Sequence, residues 1–257
     1  MLELNKIHLG DCLDLMGDIP DGSVDLILAD LPYGLTQCAW DSVIPLDKLW
    51  EHYKRVIKKR GAVVLTASGR FVFELYNSNP GWYKYDWVWD KINPSGFLNA
   101  KIMPIRAHEY VMVFCDGKTI YNRQMRKTKL HERRRGGGVV GKENHDNVLY
   151  GTFKRASRFR GEWAAPISII TILGRSPSIK NFHQTQKPTA LFSYLIKTYT
   201  NEGHIVLDNC IGSGTTAISA LETGRQFIGI EKDPEYHRIA VERVEKYRKE
   251  HKQLDLF

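Results

Sequence analysis

The chain has 257 residues, 42% of them hydrophobic, 26% charged and 11% aromatic, which excludes a disordered or collagen-like polymer and allows one large α/β domain or two small ones. No run approaches the ~18 uninterrupted apolar residues of a membrane span, and the opening Met1-Leu2-Glu3-Leu4-Asn5 lacks the basic-then-apolar layout of a signal peptide, so a cytoplasmic protein with no membrane partner is expected. Lys and Arg exceed Asp and Glu to leave a net charge of +8, which favours an anionic partner.

In chain order, short β-branched or aliphatic runs alternate with helical patterns, the layout of βα units around a parallel sheet. Strands are predicted at residues 6–9, 24–29, 62–66, 110–114, 205–207 and 227–230. Between the second and third, Leu46, Leu49, Trp50, Tyr53, Val56 and Ile57 recur at three- and four-residue intervals, so one apolar stripe lies on a helix that ends before Gly61. Residues 189–199 and 234–249 read as helices in the same way. From Thr119 to Lys180 the periodicity fades and Gly136-Gly137-Gly138 interrupts it, which marks an insertion outside the sheet.

That insertion also holds the charge. Residues 118–163 carry 13 basic against four acidic side chains, leaving the remainder near neutral. Clustered Lys and Arg suit a polyanion, because phosphates reward them through counterion release; the alternative is a solvated surface loop. The four cysteines, Cys12, Cys38, Cys115 and Cys210, show neither CxxC spacing nor a histidine in zinc-finger register, so free thiols and no metal site are expected.

Two segments end predicted strands in chemistry-bearing residues. The first is the buried run from Val24 that stops in Asp30-Leu31-Pro32-Tyr33. The second runs from Ile205 through Asp208 to Gly212-Ser213-Gly214-Thr215-Thr216, where a helix starts. Ligands bind at strand carboxyl ends near the switch point of an open parallel sheet, so these loops can face one site despite ~180 residues of separation. Gly212 and Gly214 would let backbone approach a ligand, and Thr215 and Thr216 offer hydroxyls and amides suited to a carboxylate. No lysine follows the second glycine, so this is not a GxxxxGK[ST] phosphate loop, and a purely structural turn is the alternative. Glu231, 17 residues beyond Gly214 at the end of the next strand, is positioned to accept from ribose hydroxyls. The implied ligand is a nucleoside carrying a carboxylate.

The exocyclic amine of a nucleobase is a poor nucleophile, because its lone pair is delocalised into the ring. A site that alkylates it must hold the amine by acceptors and align it with an electrophile. Asp30 and the carbonyl between Leu31 and Pro32 are adjacent acceptors, and Tyr33 offers a face for an extruded base. Asp30 as a turn former is the alternative.

With these motifs in this order, the chain resembles the amino-group DNA methyltransferases that use S-adenosylmethionine, in the permuted arrangement with the catalytic motif ahead of the cofactor motif. Asp30-Leu31-Pro32-Tyr33 is similar to the family's DPPY, with Leu31 for the first proline. Asp208 to Thr216 is similar to DPFxGSGTT, with Asn209-Cys210 for Pro-Phe. Thr185-Gln186-Lys187-Pro188 matches the TQKP block, and Gly10-Asp11-Cys12 matches the segment whose acid meets the cofactor adenine. The resemblance implies a doubly wound, mostly parallel, Rossmann-like α/β sheet. Residues 1–118 and 180–250 would form the catalytic domain, 119–179 a target-recognition insert and 251–257 a tail. It implies that Asp30 and the Leu31 carbonyl bind the target amine and that Tyr33 stacks on the flipped base. Asp11, Lys187, Asp208, Gly212, Gly214, Thr215, Thr216 and Glu231 would line the S-adenosylmethionine site.

In that family an acid at the place of Asp30 is more typical of adenine N6 acceptors and a serine of cytosine N4 acceptors. Adenine in DNA is therefore expected, with N4 methylation of cytosine, or a catalytically silent DNA-binding relative, as alternatives. Methylation at cytosine C5 is not expected, since none of the four cysteines follows a proline. A small-molecule Rossmann enzyme would leave the basic insert idle.

The family's insert carries target recognition, so Arg133, Arg134, Arg135, Arg155, Arg158 and Arg160, interleaved with Tyr121, Tyr150, Phe153 and Phe159, are expected to grip DNA. His108-Glu109 fits either a base-side role or a structural pair. The tail Gln253-Leu254-Asp255-Leu256-Phe257 resembles the peptide by which bacterial replication proteins dock on the DNA sliding clamp. Leu256 and Phe257 would anchor it and Gln253 would fix its register, unless these side chains fold back on the enzyme. A homodimer stays open. One sheet and the insert use nearly all 257 residues, which leaves no room for a nuclease.

Overall fold

The computed structural model describes residues 2–34, 43–95, 100–127, 144–147, 151–154, 162–174 and 186–252. The chain runs through β1 (Lys6–Leu9), α1 (Cys12–Leu15), β2 (Val24–Ala29), α2 (Leu46–Val56), β3 (Ile57–Ala67), α3 (Phe71–Ser78), β4 (Tyr83–Ser95) and β5 (Arg106–Phe114). It continues through β6 (Arg126–Lys127), β7 (Asn144–Asn147), β8 (Gly151–Lys154), β9 (Trp163–Ala164) and β10 (Ile169–Thr171). It closes with α4 (Thr189–Tyr199), β11 (Ile205–Asp208), α5 (Thr215–Glu222), β12 (Gln226–Glu231) and α6 (Pro234–Lys252).

Every residue of β2 is buried, as expected of a central parallel strand covered on both faces. Its side chains alternate between two cores: Leu26 and Leu28 face the layer that holds Leu191, Leu195 and Ile218, and Ile27 and Ala29 face the layer that holds Trp50, Tyr53 and Phe71. The eight-stranded sheet has the order β1-β12-β11-β2-β3-β5-β4-β10. Its pairings are parallel except those of β5, which runs antiparallel to both β3 and β4. This is the doubly wound, mostly parallel architecture expected.

The differences from the predicted elements have local causes. Helix α2 stops at Val56, one residue before the end of its apolar repeat, because Ile57 turns to extended backbone and pairs with Val24 at the start of β3. Strand β10 lies inside the stretch expected to stand outside the sheet. Ile169–Thr171 adds in parallel to β4, and Val88 N donates to Ser168 O at 2.8 Å. Helix α3 and strand β4 were not anticipated from the sequence.

Gly61 lies within β3, where the register of its pairing with β2 shifts between Val24 and Leu26. A Cβ there would lie 2.8 Å from the Asp25 carbonyl oxygen and 2.6 Å from Ile57 Cγ1. Since a backbone atom cannot swing aside as a side chain can, Gly61→Ala is expected to cost about 1–3 kcal/mol of unfolding free energy, measured by urea denaturation.

The chain divides into two compact units, residues 1–122 with 168–257, and residues 123–167. In the smaller unit β6 pairs antiparallel with β9, and β7 with β8. Arg126 Nε donates to the Ala165 carbonyl at 3.2 Å, and Lys127 Nζ lies 5.9 Å from the Trp163 ring centroid. No helix among the described residues is long and apolar enough to cross a membrane.

Candidate active site

Strands β1, β2, β11 and β12 run in the same direction and therefore deliver Asp11, Asp30, Asp208 and Glu231 to one edge of the sheet. Because β5 is reversed, its first half reaches that edge too, with Glu109 paired opposite Trp89. Two linked clusters result.

The glycine turn forms the first. Glu231 Oε2 accepts from Gly212 N at 2.8 Å and Oε1 from Asp233 N at 2.9 Å, while burial raises its pKa. Gly212 has φ +54° and a Cβ there would meet nothing within 4 Å, so its backbone faces open space. Gly214 differs: at φ +84° it caps α5, and a Cβ would press on Ala240 Cβ at 3.2 Å. Of the two glycines, Gly212 leaves room for a ligand, and Gly214 lets the turn pack against α6.

Asp208 is buried with both oxygens committed, one accepting from Cys210 N at 3.0 Å and the other from the Thr216 hydroxyl. Burial pushes its pKa up to about 7, even though those two hydrogen bonds favour the charged form. The Thr215 hydroxyl donates to the Lys187 carbonyl at 3.3 Å. Both threonine hydroxyls and Asp208 therefore brace the loop from behind, where the sequence suggested ligand contacts. Asp11 caps α1 through Leu13 N at 2.9 Å and pairs with Lys232 at 2.9 Å, and that hydrogen bond to Lys232 holds its carboxyl below the usual range. The Asn209-Cys210 pair has a local partner set. Tyr53 OH donates to Asn209 Oδ1 at 2.6 Å, turning Nδ2 toward Cys12 Sγ (3.6 Å) and Cys210 Sγ (3.4 Å). Cys12, Cys115 and Cys210 are free thiols.

Asp30 organises the second cluster. Its Oδ1 accepts from Tyr33 OH at 2.7 Å and from the Thr66 hydroxyl, and its Oδ2 from Lys187 Nζ at 2.7 Å. The Tyr33 ring stacks on Phe71 at 5.0 Å, and Lys187 Nζ lies 5.6 Å from its centroid. Burial first, then Asp30, raises the Tyr33 pKa well above the phenol value, so it stays a neutral donor. One ring face of Tyr33 is thus taken by Phe71. A base would have to use the other.

Lys187 was grouped by its motif with the cofactor residues. Its carbonyl is indeed held by α5, but its side chain points away to Asp30 and to Glu109 Oε2 at 3.3 Å. Thr66 and Lys91, which pairs with Glu109 Oε1 at 3.2 Å, join the site without any motif of their own, whereas Glu109 belongs to the His108-Glu109 pair for which the sequence allows a base-side role. The only sequence hint of Thr66 is its place on the strand beside β2. Arg133, Arg134, Arg135, Arg155, Arg158 and Arg160, and the tail residues Gln253, Leu254, Leu256 and Phe257, lie outside the described residues.

A glycine turn beside a strand-end acid, at the switch point of a doubly wound sheet, belongs to the class of α/β proteins that take a nucleoside-bearing cofactor there. More narrowly, residues 24–242 match the family described as DNA methylase, and the chain belongs to that family. The Type II methyltransferase M.HinfI of Haemophilus influenzae is 26% identical over 271 residues, spanning 94% of this chain and 68% of that protein. The crystal structure of an M1.HpyAVI-SAM complex shares the fold with a TM-score of 0.60 at 24% identity, covering 93% of this chain and 98% of that one. The cytosine-N4-specific PvuII DNA methyltransferase aligns with a TM-score of 0.64 at 17% identity, over 95% and 89% of the two chains.

The family's methyl donor is S-adenosylmethionine. The residues present fit it: open space beside the Gly212 backbone, the Glu231 carboxylate next to it for hydroxyl donors, and Asp11 at the neighbouring strand end.

Proposed function

We propose that the chain methylates the N6 amine of adenine in DNA by direct transfer to an extruded base. The observation that carries this reading is the placement of Asp30 at the end of β2, beside the strand that leads to the glycine turn. Asp30 and the Leu31 carbonyl accept the two N–H bonds of the amine, which draws its lone pair out of conjugation and aims it at the methyl carbon. S-Adenosylmethionine would supply that carbon as an electrophilic methyl on a sulfonium, whose C–S bond would break with its electron pair kept on sulfur, leaving a neutral thioether. Asp30 takes up the amine proton as the new N–C bond forms. Tyr33 and Thr66 fix the carboxylate by donating to its Oδ1, so it meets the amine already oriented. Asp11, Gly212 and Glu231 hold the donor at the adjoining strand ends. The arginines of the insert contact phosphates, and the salt dependence of DNA binding should be steep.

The test is incubation of the full chain with labelled S-adenosylmethionine and mixed-sequence DNA, followed by nucleoside analysis. N6-methyladenine is the expected product. N4-methylcytosine would replace this reading by the cytosine alternative, and absence of any methylated nucleoside would leave a silent DNA-binding relative.

A further inference from the structure

Asp30 and the Leu31 carbonyl account for the two N–H bonds of an amine, yet the Asp30 cluster also contains a buried cation set beside the carboxylate. Lys187 Nζ lies 2.7 Å from Asp30 Oδ2, with only 8% of its side chain exposed. A carboxylate oxygen and an ammonium at this spacing can make two roughly parallel hydrogen bonds with adjacent atoms of one base edge, the oxygen accepting one and the ammonium donating the other. We propose that Lys187 reads the target base, donating to the ring nitrogen next to the amine (N1 of adenine) while Asp30 accepts from the amine itself. This rests on the reading that a base amine is presented to Asp30.

The edge so recognised is an amine donor beside a ring-nitrogen acceptor. Adenine carries it at N6 and N1, and cytosine at N4 and N3. Guanine at O6 and N1, and thymine at O4 and N3, present the reverse order, an acceptor beside a donor. Either would face Asp30 with an oxygen and Lys187 with an N–H, leaving both charged groups unpaired in a buried site. Unpaired buried groups are the strongest source of rejection available to a pocket.

A lysine shared in this way needs other partners to keep its place. Glu109 Oε2 lies 3.3 Å from Lys187 Nζ, is buried, and accepts no hydrogen bond from the described residues. Behind it, Lys91 Nζ donates to Oε1 at 3.2 Å and fixes the carboxylate. The Lys187 backbone is held separately, by the Thr215 hydroxyl on its carbonyl and by Pro188 at the start of α4. When one Asp30 oxygen turns to the amine, Lys187 therefore still faces a carboxylate. Burial works against its charge, but Asp30 and Glu109 outweigh it and raise the pKa, so Lys187 remains a donor throughout the working range.

The competing role is that Lys187 only positions Asp30. A coupling experiment separates the two. Once the methylated sequence has been mapped, duplexes carrying adenine or 1-deazaadenine at the target, the latter with N1 replaced by C–H and the amine kept, are compared with the wild-type chain and with Lys187→Met. Loss of a hydrogen bond from a charged donor should lower wild-type kcat/KM on the analogue by about 10- to 100-fold. Lys187→Met, already slow on adenine, should treat the two duplexes alike. An equal analogue penalty in both proteins, or none in the wild type, overturns the proposal.

If Lys187→Met does not fold, the wild-type chain with a duplex labelled at adenine 15N1 decides the matter. The N1 resonance should move upfield on binding, and an unmoved resonance overturns the proposal. If cytosine proves to be the substrate, the N6 reading fails independently, and 3-deazacytosine takes the place of the adenine analogue in the same comparison.

Discussion

Asp30→Ala is expected to reduce methyl transfer by about 10³-fold or more while S-adenosylmethionine still binds. The two effects separate because Asp30 itself bonds no residue of the glycine turn, and Lys187, which joins the two clusters, meets the turn through its carbonyl rather than its side chain. Asp30 is tied to Tyr33, Thr66 and Lys187, whereas Glu231 is tied to Gly212 and Asp233. Removing the carboxylate deletes the amine acceptor and leaves Lys187 facing Glu109 alone. Initial rates with labelled donor and calorimetric titration of the donor check both halves. Retained turnover would remove Asp30 as the amine acceptor. Loss of donor binding would mean that the two clusters form a single unit.

Asp208→Asn should change how stability depends on pH. The folded pKa of Asp208, about 7, lies above its unfolded value near 3.8, so the folded state binds the extra proton between those limits. Stability from this group is therefore fully present below about pH 4 and lost as pH rises through 7, by an amount on the order of 4 kcal/mol. Asparagine can still accept from Cys210 N but does not titrate. Urea unfolding of both proteins without added donor, from pH 4 to 8, should show the wild type losing stability relative to the variant as pH rises. Parallel curves would contradict the assignment. Glu231 shifts in the same direction for the same reason, but it is present in both proteins and cancels in the difference.

How much of this was legible in the sequence depended on whether the signal was local. The uninterrupted apolar run of β2, ending in an acid and a proline, carried both the strand and the reacting residue. Strand β4 was harder to see: Trp87, Val88 and Trp89 are flanked by Asp86, Asp90 and Lys91, and the run ends in Asn93-Pro94, which reads as surface until β5 and β10 cover both edges. Motif spacing groups Lys187 with the glycine turn, but its side chain meets Asp30 and Glu109, because a motif fixes the backbone and not the direction of a long side chain. Thr66 and Lys91 carry no pattern at all, and His108-Glu109 fits a structural pair as well as a base-side role. They reach Asp30 and Lys187 only through the pairing of β3 with β2 and the reversal of β5, which are facts of topology. The threonine hydroxyls of the glycine turn are a further case, since residue type alone cannot tell a ligand contact from a brace.

The position of β2 between β11 and β3 has a consequence for how the protein is made. One edge of this wholly buried strand is completed by residues 206–207, and the Asp25 carboxylate waits for the amide of Ile205, 180 positions further along. At ordinary elongation rates of about 5–20 residues per second, the nascent strand spends roughly 10–35 s with that edge unpaired. The reacting loop is thus among the first parts to leave the ribosome and among the last to acquire its neighbours. Slow synthesis or truncation should expose β2 to aggregation before any methyl-transfer site exists.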